Sequence, residues 1–204
     1  GRAGSVSVSS GASSIGAGGV VSVVAGGTSD EGSVGGALRM VAGDGGTGGG
    51  LAISSGAGVF DDGGGMAISA GNGAFNAGGM TVISSGEGHR GGAVLVEAGK
   101  GEKAGGGVTV SSGRSDEGKS GKINISTSLA PQSQSIQMQT GDGRMATGDV
   151  LVLTGESLSN GGSIQLKVGP SATGKSGNVQ AAAGTNNGAT EVGGSIDLTS
   201  GAAA

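Results

Sequence analysis

Fifteen carboxylates, eleven Lys or Arg residues and one histidine are the groups with which this 204-residue chain can do chemistry. Cysteine is absent, so a disulfide framework, a Cys-based zinc site and thiol catalysis are all excluded. A single imidazole, His89, excludes any site that needs two. The loop carboxylates are Asp30 with Glu31, Asp44, Asp61 with Asp62, Asp116 with Glu117, and Asp142. Calcium-binding glycine repeats set carboxylates and carbonyls at nine-residue spacing, and no such string is present here. Adjacent acids such as Asp61 and Asp62 have the chemistry of a glycosidase or lyase pair. The aromatic platforms of a sugar groove are missing, however, with two Phe and no Trp or Tyr. Solvated loop charge is the better account of these acids. The expectation is no enzyme, no catalytic residue, no cofactor and no metal.

The remaining motifs are equally spare. Gly43-Asp44-Gly45-Gly46 has the look of a phosphate cradle, and Gly118-Lys119-Ser120 and Gly174-Lys175-Ser176 end as a P-loop ends. None follows a strand and opens a helix, as a phosphate loop must, so turns are expected. His89 beside Arg90 reads as an exposed loop pair. A net charge of −4 is too mild for a polyanion-binding protein, and no nucleic-acid partner is expected. Asn124-Ile125-Ser126 is an N-glycosylation sequon, and alternation places Asn124 on the side opposite Ile123 and Ile125. Asn124 is therefore a candidate glycan acceptor if the chain is secreted, and loop Ser and Thr residues offer O-linked positions.

What positions these residues is a repeat built on glycine, which makes up 52 of the 204 residues. Collagen would need far more than two prolines, and a disordered linker would lack periodicity. Instead one string recurs: Gly, any residue, apolar, any, apolar, any, small, Gly. Gly19–Gly26, Gly106–Gly113, Gly162–Gly169 and Gly194–Gly201 are clear copies. Fourteen repeats start their apolar pair at Val6, Val21, Leu38, Leu51, Met66, Thr81, Val94, Val108, Ile123, Ile136, Val150, Ile164, Val179 and Ile196. Twenty-six of the 28 paired positions are Val, Ile, Leu or Met, with Thr81 and Ala181 departing. The residue before the closing glycine is Ala, Ser or Thr in thirteen repeats of fourteen. If it points inward, the interior narrows there.

Period-two alternation rich in β-branched residues predicts short strands with one buried face. Two aliphatic side chains contribute about 1.5–3 kcal/mol each, which falls short of the entropy of ordering a whole repeat. Stability would then come from stacking copies. Loops between closing and opening glycines are five residues long at the third, sixth and ninth positions only, as if every third loop shared a column. The strings Ser29–Gly32 and Ser115–Gly118 sit six loops apart, which suits two coils of three strands and three coils of two equally. The expected fold is all-β: a repeat β-solenoid, a parallel β-helix of about fourteen short strands, three per coil. A two-sided solenoid or an antiparallel β-sandwich is the alternative. Residues 1–204 form a single array without capping elements on this view, part of a longer array or filament. No segment reads as a signal peptide or a membrane span, which fits a processed chain or a fragment.

Val24, Val41, Val82, Leu95, Leu151 and Leu153 fall on the side expected to face water. They are candidate lateral contacts between neighbouring chains. The strings Gly193–Gly201 and Gly106–Gly113 resemble those of the Gly/Ser-rich tandem-repeat surface or secreted proteins of stramenopile algae and oomycetes. The resemblance spans essentially the whole chain and implies an extracellular structural fibre of the flagellar-hair (mastigoneme) or sheath kind. It carries over no catalytic residue. The expected function is a filament subunit, self-associating at the cell surface or outside the cell. A surface adhesin, and behind it a carbohydrate-active enzyme, are the alternatives.

Overall fold

A computed structural model describes residues 3–186 and 192–201. The chain divides into two units, Gly1–Gly106 and Gly107–Ala204, which carry repeats one to seven and eight to fourteen respectively.

Neither unit contains a helix or a strand among the described residues. The all-β solenoid expected from the alternation is therefore corrected, and the two-sided solenoid and β-sandwich fall with it. The missing ingredient is pairing. Among the described residues ten backbone–backbone hydrogen bonds are formed, and each ties the chain to itself within ten residues; none of them joins one repeat's apolar segment to another's. Local extension survives without the ladder. Gln137 Nε2 donates to Gln139 Oε1 at 2.7 Å, and Ser195 Oγ donates to Asp197 Oδ2 at 3.0 Å. Side chains two residues apart meet in this way when they share one side of an extended backbone.

No residue, apolar or polar, is buried among those described. The accessible surface is 20797 Å². A compact protein of this mass exposes about 8,200 Å² and a fully unfolded chain about 27,000 Å². The chain thus has the character of a loose coil, because two aliphatic side chains per repeat do not offset the ordering of a segment with a glycine at each end.

In the first unit all seven loops are tied at the base by a backbone hydrogen bond. The N–H of each opening glycine donates to the carbonyl of the preceding closing glycine: Gly19 to Gly11, Gly36 to Gly26, Gly49 to Gly43, Gly64 to Gly56, Gly79 to Gly71, Gly92 to Gly86 and Gly106 to Gly99. In the second unit Gly121 to Gly113 and Gly194 to Gly184 repeat the bond. The four loops between them, starting after residues 128, 141, 155 and 169, do not.

The two Ser-Asp-Glu-Gly strings take different turns. At Asp30–Ser33 the Ser33 N–H reaches the Asp30 carbonyl at 3.2 Å, with Gly32 at a φ of 91°. At Ser115 the hydroxyl instead accepts the Gly118 N–H at 2.9 Å, and Ser171 does the same for Gly174 at 3.1 Å. Sequence identity at these loops does not signal a shared column.

Candidate functional site

The most regular geometry in the chain lies at the loop bases. A Cβ placed on the opening glycine of each tied loop would stand 3.0–3.5 Å from the Cβ of the residue before the closing glycine. For Gly79 that neighbour is Ala70, at 3.2 Å; for Gly36 it is Ala25, at 3.4 Å. At Gly19, Gly36, Gly49, Gly79, Gly92 and Gly121 the nearest contact is 3.0–3.2 Å, so this side chain or the closing backbone crowds any Cβ there and favours glycine. The small residue before the closing glycine is thus not at a narrowing interior, as the sequence suggested. It packs on the base of the loop that follows it. Ala25, Ala42, Ala70, Ala98 and Thr140, all at this position, are the only partly covered residues among those described.

Which small residue stands there separates the two kinds of loop. All nine backbone-tied loops follow Ala or Ser: Ser10, Ala25, Ala42, Ser55, Ala70, Ser85, Ala98, Ser112 and Ala183. The four untied loops follow Thr127, Thr140, Thr154 and Val168, each β-branched. Length does not separate them, since tied loops span five to nine residues between their glycines and untied loops five to seven. The extra γ atom accounts for the difference. A Cβ on Gly162 would meet Cβ and Cγ2 of Thr154, and one on Gly177 would meet Cγ1 of Val168 at 3.3 Å. In the loops tied at Gly36, Gly49 and Gly64 the same probe also meets backbone atoms of the closing glycine at 3.2–3.5 Å. At Gly148, Gly162 and Gly177 only the branched side chain, and no atom of the closing glycine, lies within 4 Å of such a Cβ. Serine adds a latch, since Ser10 Oγ donates to the Gly19 carbonyl at 2.8 Å and Ser85 Oγ to the Gly92 carbonyl at 2.9 Å. The loop after Ser128, where both glycines are replaced, is held by the Thr127 and Ser133 hydroxyls, 2.8 Å apart.

A second glycine follows two residues after the closing one in six loops, and in five of them it too is sterically required. A Cβ on Gly58, Gly101 or Gly143 would collide with the carbonyl of Asp61, Ala104 or Ala146. On Gly45 and Gly73 it would approach the Thr47 and Ala77 carbonyls at 2.9 and 2.5 Å. Gly43-Asp44-Gly45 is therefore a loop start bent over its own carbonyl. The sequence signal was the recurrence of Gly-x-Gly after a closing position, with the β-branched exceptions grouped in one stretch.

The apolar rows are uncovered. Aliphatic first members of the pairs are 49–63% exposed from Val21 onward, and Val24, Val41, Val82, Leu95, Leu151 and Leu153 are 67–84% exposed. The expected distinction between an inward pair and outward lateral contacts is therefore one of degree. Asn124 is exposed, as glycan transfer requires. Asp61, Asp62 and His89 are exposed loop residues. No group of three or more His, Cys, Asp or Glu is placed to hold a metal among the described residues. Arg114 and Asp116 pair at 2.7 Å on an open surface, where such a pair is worth little. The depression lined by Glu156, Ser157 and Leu158 is open to solvent, and Leu158 is fully exposed. No helix is long and apolar enough to cross a membrane among the described residues. No family model, no curated protein and no solved structure matches the chain.

Proposed function

We propose that the chain is a structural protein, a self-associating subunit of an extracellular filament. The observation that carries this reading is that aliphatic pairs recur at a mean spacing of 14.6 residues from Val6 to Ile196 and none is buried within the chain. Exposed apolar surface on this scale is a site of association. A second copy is the occupant that offers matching rows at the same period, and a net charge of −4 opposes their approach only weakly. Copies meet side by side through these rows and through the exposed apolar residues of the opposite side, Leu151 and Leu153 among them. The sequon at Asn124 and the resemblance to secreted Gly/Ser-rich repeat proteins support an extracellular setting with glycans as further partners.

Sedimentation and electron microscopy of the purified chain over a range of concentrations test this. Growing, ordered filaments are expected, and replacement of Leu151 and Leu153 by Ser should raise the concentration at which they form. A chain that stays monomeric at every concentration would refute the proposal.

A further inference from the structure

We infer that Asn72–Gly73 and Asn160–Gly161 are sites of spontaneous asparagine modification, and that loop closure sets their relative rates. Asparagine before glycine is open to attack by the glycine backbone nitrogen on its own side-chain carbonyl, because no Cβ shields that nitrogen. The Gly73 nitrogen bonds to Asn72 Cγ while the Cγ–Nδ2 bond breaks. The displaced proton leaves with the amino group as ammonia, and a five-membered succinimide remains. Water then opens the ring at either carbonyl, giving aspartate or its β-linked isomer, with no oxidant or reductant involved. Both asparagines are exposed, and neither makes a hydrogen bond.

The two sites differ in how freely the backbone can rotate into the attacking geometry. Asn72 lies directly after closing Gly71, inside a loop tied by the Gly79 N–H to the Gly71 carbonyl at 2.9 Å. Gly73 is also packed under the Asn76 and Ala77 carbonyls. Asn160 lies in the untied loop that follows Thr154, and Gly161 faces open space. Asn160 therefore reacts first. Each event adds one carboxylate, taking the formal charge from −4 to −6 when both have reacted. The β-linked product at Asn72 also inserts a backbone carbon at a loop base. A third pair, Asn187–Gly188, lies outside the described residues.

Timed incubation of the full chain at mildly alkaline pH, followed by peptide mapping with mass spectrometry and isoaspartyl detection, measures each site. Asn160 should convert several-fold faster than Asn72, and both should outpace Asn178, which precedes Val179. Ala70→Val, which unties the loop at Gly79, should bring Asn72 towards the rate of Asn160. Thr154→Ala, which lets the other loop close, should slow Asn160. Rates at Asn72 and Asn160 no faster than at Asn178 would overturn the assignment. Equal rates at the two sites, or rates that neither variant moves, would overturn control by closure.

Discussion

At Gly79 and Gly162 the same backbone position meets two different neighbours: the Cβ of Ala70 in one loop, the Cβ and Cγ2 of Thr154 in the other. One loop is tied and the other is not. An exposed backbone hydrogen bond contributes about 0.5–1.5 kcal/mol net, so a β-branched side chain that displaces it shifts the closed population by up to roughly tenfold. Ala70→Val should abolish the bond between Gly79 and Gly71, and Thr154→Ala should create one between Gly162 and Gly155. Through-bond couplings between glycine nitrogens and carbonyl carbons by NMR report each bond directly. Retention of the Gly79 coupling in the valine variant would show that β-branching is not what separates the loops.

At the scale of the loop and its flanking segments, closure should be insensitive to length. Tied loops already range from five to nine residues between their glycines, and the closure entropy between those lengths differs by only about 0.5 kcal/mol. Two serines inserted after His89 should leave the bond between Gly92 and Gly86 in place, read from the same couplings. Its loss would point to a particular turn inside the loop as the cause of closure. The glycine corners were legible in the sequence because a missing Cβ recurs at every loop but the one between Ser128 and Gln134. The alternation was legible too, and it survives in the contact of Gln137 with Gln139. Pairing was not. Period two states which side of a segment is apolar but names no partner or register, and the shared column that equal loop lengths suggested does not appear in the tying: the five-residue loops before Gly49 and Gly92 are tied and the one after Ser128 is not. Grouping Ala, Ser and Thr as small likewise merged the residues that permit closure with one that prevents it. The apolar pair predicted to form an interior is exposed because nothing within the chain covers it.

For the whole molecule the consequence is the absence of a cooperative unit. A folded domain of 204 residues would unfold with an enthalpy of about 140 kcal/mol, at roughly 0.7 kcal/mol per residue. This chain buries no residue among those described and has no such store of contacts to release. Scanning calorimetry of a dilute sample should show no unfolding peak, and urea should change its circular dichroism gradually. A sharp, concentration-independent transition would contradict the loose coil. Association supplies the contrasting signal. Copies held together through aliphatic rows lose that attraction on cooling, because apolar burial weakens as temperature falls. Light scattered by assembled material should therefore decline when the sample is chilled and recover on warming, with Leu151→Ser and Leu153→Ser lowering the scattering at every temperature. Assemblies indifferent to both cooling and these substitutions would have to be held by backbone hydrogen bonds or by charge, and the exposed rows would then have no part in joining the copies.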